Sequence, residues 1–117
     1  MTIRNFKDLE VWKLGKQIVL EVYRVTTTFP KEETFSLTQQ MRRAAISVPS
    51  NIAEGFNRVH NKEERQFLYM ALGSCAEVET QTDIAFELKY LDGSDRDRLL
   101  EQLDHESRML RNLIKRL

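Results

Sequence analysis

Few side chains in this chain are able to do chemistry, and their spacing matches no catalytic set. Ser47 and Ser50 flank Pro49, His60 and His105 are the two histidines, and Cys75 is the single cysteine. A serine nucleophile needs a base and an orienting group within hydrogen-bond reach. His60 falls in a predicted loop and His105 on the polar side of the last predicted helix. Neither lies on the stripe that faces the second predicted helix, which carries the serines. Cys75 lies in an apolar run, where a thiol acts as a small core hydrophobe, and a thiolate nucleophile would need a base or cation beside it. A di-metal site in a helical bundle needs inward glutamates and a Glu-x-x-His pair on each of two helices. Asn57 stands three residues before His60 and Gln102 three before His105, so both pairs fail. The predicted core stripes offer no inward carboxylate apart from Glu54, Glu77 and Glu79. Gly55 and Gly73 are isolated and follow no strand, so no phosphate-binding loop is present. The residues therefore point to a non-enzymatic protein with no catalytic residue, no metal and no cofactor.

Composition narrows what the chain can be. Its 117 residues are one domain by length, residues 1–117, and are enough to bury a core. The 41% hydrophobic and 31% charged content is that of a soluble globular protein, without a membrane span. Only four glycines and two prolines interrupt it, which favours long helices over short strands. One cysteine allows no internal disulfide, and Met1–Arg4 contains no apolar stretch of a secretory leader; both place the chain in the cytoplasm. Net charge is zero but unevenly spread. Residues 1–31 carry six basic and three acidic side chains, residues 77–106 carry three and ten, and the last eleven carry four and none.

Four helices account for the apolar pattern. The first, from about Asp8 to Thr27, sets Val11, Trp12, Leu14, Ile18, Val19, Val22, Tyr23 and Val25 on one arc. That arc is wider than the ~100° a single contact requires, so more than one neighbour is expected. Pro30 closes the helix. Ser36-x-x-Gln39 reads as a capping box opening the second helix, with Leu37, Met41, Ala44, Ala45, Val48, Ile52 and Phe56 inward. Pro49 should kink or split it, and Ser47, Ser50 and Asn51 are placed to bond carbonyls left without partners. Asn61-x-x-Glu64 reads as a second capping box, starting a third helix that reaches about Leu91. From Gln66 to Ala76 it carries no charge, and a helix apolar on nearly every side needs cover on every side. The excess marks a subunit interface, with Trp12, Tyr69, Met70, Leu72, Glu77 and Glu79 as its candidates. Asp92-Gly93-Ser94 is a turn, with Ser94 as a cap for the fourth helix. That helix shows a leucine stripe (Leu99, Leu103, Leu110, Leu113, Ile114, Leu117) opposite a polar face. Short connections between four helices predict an antiparallel up-down-up-down bundle.

The densest pattern is Gln40-Met41-Arg42-Arg43-Ala44-Ala45-Ile46-Ser47-Val48-Pro49-Ser50-Asn51-Ile52-Ala53-Glu54-Gly55. With Phe6-x-Asp8-Leu9-x-Val11-Trp12 and Gly73-Ser74-x-x-Glu77-x-Glu79, it resembles the four-helix-bundle family named for proteins encoded in 23S rRNA intervening sequences. The resemblance runs through Leu91. It implies a left-handed bundle, often assembled as a five-membered ring, and kinship with accessory proteins of diversity-generating retroelements, which associate with a reverse transcriptase and nucleic acid. That branch is strongly basic, whereas this chain is neutral.

From the residues themselves, Arg42 and Arg43 are expected to form ion pairs with Glu77 and Glu79 of the next helix or subunit. A nucleic-acid contact would draw on Lys7, Lys13, Lys16, Arg42, Arg43, Arg58, Lys62 and Arg65, should helices 1 and 2 and the following loop bring them onto one face. The expected partners are thus further copies of this chain, and nucleic acid or another protein as a second class.

Overall fold

The computed structural model describes residues 5–117, so the reading of Met1–Arg4 falls outside the described residues. Four long helices make up most of the chain: α1 (Glu10–Thr26), α2 (Leu37–Phe56), α3 (Asn61–Glu87) and α4 (Gly93–Lys115). Two 3-10 turns, Phe6–Asp8 and Lys31–Glu33, precede α1 and α2. Among the described residues there is no strand, and the fold is all-α. At 1.5 Å per residue the 27 residues of α3 span about 40 Å, which accounts for the 44 Å long dimension of the molecule.

Each helix packs on its neighbours in sequence, and α1 also packs on α4; α1 and α3, like α2 and α4, face each other diagonally across the core. The broad apolar arc of α1 is explained by these two partners. Each helix supplies a stripe to one interior. Ile18 and Val22 come from α1, Met41, Val48 and Ile52 from α2, Leu68, Ala71, Cys75 and Val78 from α3, and Leu99, Leu103 and Leu110 from α4. All of these are buried from water, the burial that stabilises a bundle most. Three polar contacts register the ends. Arg24 donates to Asp95 Oδ1 at 2.6 Å, joining the end of α1 to the start of α4. Arg42 Nε donates to Thr26 Oγ1 at 2.8 Å, holding the first half of α2 beside the end of α1. Arg65 Nη1 donates to the Leu117 carbonyl at 2.6 Å, placing the start of α3 by the end of α4.

Helix ends depart from the sequence expectation in instructive ways. Ser36 precedes α2 but makes no side-chain cap; the Glu33 carboxylate accepts the Leu37 N–H at 3.4 Å instead. The 3-10 turn brings that longer side chain back over the helix start. At α3 the capping position is His60 rather than Asn61, again without a side-chain bond. Glu64, expected to reach back to the cap, packs its stem against Gly55. Asp92, not Ser94, caps α4, accepting the Asp95 N–H at 2.8 Å. α2 runs through Pro49 as one helix, so it is not split. Asn51 Nδ2 donates at 2.8 Å to the Ser47 carbonyl and also to Ser47 Oγ.

α3 ends at Glu87, one turn short of Leu91. Tyr90 N–H bonds the Ala85 carbonyl and Lys89 N–H bonds the Phe86 carbonyl, both at 2.9 Å. This pair of bonds is the Schellman stop, which demands a left-handed residue between them. Here that residue is Lys89, with φ 67°. A side chain in that conformation costs about 1–2 kcal/mol that glycine avoids. Lys89→Gly should therefore raise the unfolding free energy by about 1 kcal/mol in chemical denaturation; an unchanged or lowered midpoint would contradict this account.

Candidate functional site

Surface chemistry in this fold resolves into two apolar faces, a basic end and one acid in the interior. The residues expected at a subunit interface divide between core and surface. Trp12 and Leu72 are half-buried and pack on the chain's own core; Trp12 also meets Phe6 edge-on, ring centroids 5.5 Å apart. Tyr69 and Met70 stand outward, 57% and 54% exposed. Glu77 is exposed beside them. Glu79 turns toward α4 and lines a shallow groove with Asp104, Ser107 and Arg111.

Sequence reasoning missed the rest of this face. Ile84 and Leu88 are 43% and 50% exposed, and their spacing from Tyr69, Met70, Gly73 and Glu77 puts all six on one side of α3. They lie in the acidic half of the helix, where an isolated apolar residue reads as core. Gly73 sits in the middle of the ridge, and nothing lies within 4 Å of where its side chain would be. A second face is formed where α1, α2 and the loop between them meet. Tyr23, Phe35 and Ile46 are exposed there, lining a groove that Arg42 and Arg43 border.

The basic residues do not gather into one patch. Arg42 lies beside Thr26, at the end of the molecule that holds the start of α4. Its guanidinium also covers the Tyr23 ring, 4.5 Å from the centroid. Arg58, Lys62 and Arg65 follow α2 and open α3 at the opposite end, where the chain terminus lies. The two ends of α2, 20 residues long, are about 30 Å apart. Lys7, Lys13 and Lys16 belong to the second end, near the start of α1, where Lys16 sits 5.7 Å over the Trp12 ring. Arg58 pairs with Glu54 at 3.0 Å and stacks on Phe67. Within the chain no ion pair among the described residues joins Arg42 or Arg43 to Glu77 or Glu79, because Arg42 is engaged by α1 and Glu54 by Arg58.

The groups weighed for catalysis stay apart. Ser47 Oγ accepts from Asn51 at 2.8 Å and from Ser74 at 2.9 Å, which ties α2 to α3 with no base in reach. His60 is exposed just before α3, and His105 is exposed on α4. Cys75 is 0% exposed, and burial first, then the charge of Glu106, pushes its thiol up to about 12. Such a thiol carries almost no thiolate at neutral pH. Among the described residues no three of His, Cys, Asp and Glu converge as metal ligands.

One expectation is corrected. The core does hold an inward carboxylate, Glu106, which is 0% exposed. The leucine stripe of α4 steps from Leu103 to Leu110 without an intermediate residue, and Glu106 stands in that gap. The missing step was a signal available in the sequence.

Arg42 and Arg43 can be separated experimentally. Arg42→Ala removes a hydrogen bond and a cation–π contact and should cost about 1–2 kcal/mol of stability. Arg43→Ala, exposed and without such contacts, should change stability by less than about 0.5 kcal/mol. Equal effects of the two in thermal unfolding would refute this assignment.

Comparison with known proteins agrees with the geometry. A search of the curated proteins finds no match. Among solved structures, the chain is similar to a protein of unknown function from the S23 ribosomal protein family of Bacteroides thetaiotaomicron. That match has a TM-score of 0.81 at 17% identity, covering 90% of this chain and 98% of that one. At such identity the likeness speaks for the fold. Residues 7–112 match the family model described as 23S rRNA-intervening sequence protein. The chain belongs to the 23S rRNA-intervening sequence protein family.

Proposed function

We propose that this protein is a non-enzymatic, homo-oligomeric scaffold or binding module, in which the outer face of α3 on one subunit seats in the α1–α2 groove of the next. The observation that carries the reading is the pair of unlike apolar faces: Tyr69, Met70, Ile84 and Leu88 on α3, and Tyr23, Phe35 and Ile46 on the other. Exposed apolar area of this extent marks interaction surfaces. Because the two faces differ, their contact is heterologous and generates a ring when the rotation closes. Charge supports the pairing, since Arg42 and Arg43 border the groove while Glu77 and Glu87 border the ridge. A ring of five, a left-handed bundle of alternating helix direction and a bend at Pro49 belong to the same proposal, through the family resemblance. So does a cytoplasmic setting, supported by the single buried thiol. No helix among the described residues is long and apolar enough to cross a membrane.

Light scattering after size exclusion tests the proposal at micromolar concentration. The wild-type mass should be a multiple of 13.8 kDa. Gly73→Arg should lower it to that of one chain with the circular dichroism unchanged, because the site is open in the monomer. A monomeric wild type would end the oligomer reading, and an unaffected Gly73→Arg would end the role of α3.

A second reading, nucleic-acid binding, is favoured by the cluster of Lys13, Lys16, Arg58, Lys62 and Arg65 at the end that also carries Lys115 and Arg116. In a ring this end repeats on every subunit, and avidity multiplies a weak contact. RNA binding should then weaken steeply with salt. Arg58→Ala with Lys62→Ala should flatten the slope of log K against log[salt], by about 0.7–0.9 for each phosphate that is no longer neutralised. No binding at low salt would dismiss the reading.

A further inference from the structure

The centre of the α4 stripe is a carboxylic acid clasped between two other helices. Among the described residues neither oxygen of Glu106 has a hydrogen-bond partner, and both are buried. Oε2 lies 2.8 Å from the point where a Gly15 side chain would begin, and the Pro49 ring Cβ and nitrogen lie 3.5 Å from that same point. Among the described residues no counter-ion acts on the group, whose carboxyl is shifted by burial. α1 presents Gly15, and α2 presents Pro49, whose nitrogen carries no hydrogen. α3 presents the Cys75 thiol, near which Glu79 and Arg111 also stand. On α4 itself the adjacent Ser107 is neutral, and Asp104, His105 and Arg108 are exposed to water.

Among the described residues an ionised carboxylate here would have no hydrogen-bond donor and no cation, and it has no access to solvent. A neutral one needs only an acceptor for its O–H. Pro49 supplies the circumstance, because its missing N–H leaves the Ala45 carbonyl, four residues earlier, without a helical partner. We propose that the Glu106–Gly15–Pro49 contact is a proton-operated latch: the bundle closes on a neutral Glu106 and loosens along the α1–α4 seam when that proton leaves.

The direction of the pH effect follows from the two states. Unfolded, Glu106 titrates near the ordinary glutamate value of about 4.3. Folded, burial pushes it up to about 8. Between those values the folded chain holds one proton more than the unfolded chain. The latch is fully stabilising below the unfolded value, weakens as pH rises, and has no further effect above about 8.

Glu106→Gln keeps the shape and abolishes the titration. The ratio of unfolding constants, wild type over variant, should grow about tenfold per pH unit between about pH 5 and pH 8 and then level off. Above pH 8 the amides around Gly15 and Glu106 should exchange hydrogen faster in wild type than in the variant at the same pH. Infrared spectroscopy gives a readout that does not depend on that variant folding. A Glu64→Gln background is used, because burial raises the Glu64 carboxyl as well. There a neutral carboxylic-acid band should persist at pH 6 and convert to carboxylate as pH passes 8. A flat stability ratio, or a fully ionised spectrum at pH 6, would overturn the latch.

Discussion

The interior depends on a close approach at Gly15. Without a side chain there, α1 lets the Glu106 carboxyl from α4 and the Pro49 ring from α2 come within 2.8 and 3.5 Å of the same point. Two groups that are awkward in a helical core, an imino acid and a carboxyl, therefore meet at one level of the bundle. Toward one end the stripes continue as Ile18, Val22, Leu103 and Leu99; toward the other they continue as Val11, Ile52, Leu110 and Ile114. Close-packed aliphatic layers on both sides shut solvent out of the polar level, which is why burial alone accounts for the altered titration of Glu106.

The same packing decides what is left outside. α3 packs side by side with α2 and α4, so a helix with apolar residues around its circumference has one side without cover. α1 lies diagonally across from it, and the junction of α1 with α2 leaves Tyr23, Phe35 and Ile46 open. Two unlike faces of one small domain are the geometric condition for a repeating head-to-tail contact. The charged groups follow a different axis. Arg24 joins Glu21 on its own helix and Asp95 on α4, and Arg98 reaches Glu21 as well. The hydrogen bond from Arg24 does most to hold the Glu21 carboxyl below the usual range, with Arg98 adding to it. Exposed ion pairs contribute little each, yet this network joins α1 to α4 at one end, while Lys16, Lys62 and Arg65 lie with the paired Lys13 and Arg58 at the other.

What the sequence determined was the set of helices and most of their inward stripes. Apolar period, scarce glycine and proline, and the turn at Asp92-Gly93 are local properties, legible one segment at a time. Family membership was legible too, in the long Arg42–Gly55 segment. Local chemistry was less reliable at the helix ends. Ser36 and Asn61 are good capping residues, but Glu33 and the packing of Glu64 on Gly55 lie outside the four-residue window in which a cap is read.

Tertiary structure alone decided three matters. It separated Arg42 from Arg58, Lys62 and Arg65, because a helix of 20 residues carries its ends about 30 Å apart. It assigned Trp12 and Leu72 to the core while leaving Ile84 and Leu88 outside, a choice that depends on which helices are neighbours. It also buried Glu106, whose stripe position was visible in the gap between Leu103 and Leu110. A helical period says which way a residue points; only the partner helix says whether solvent reaches it, and at Gly15 the partner admits a carboxyl and closes over it.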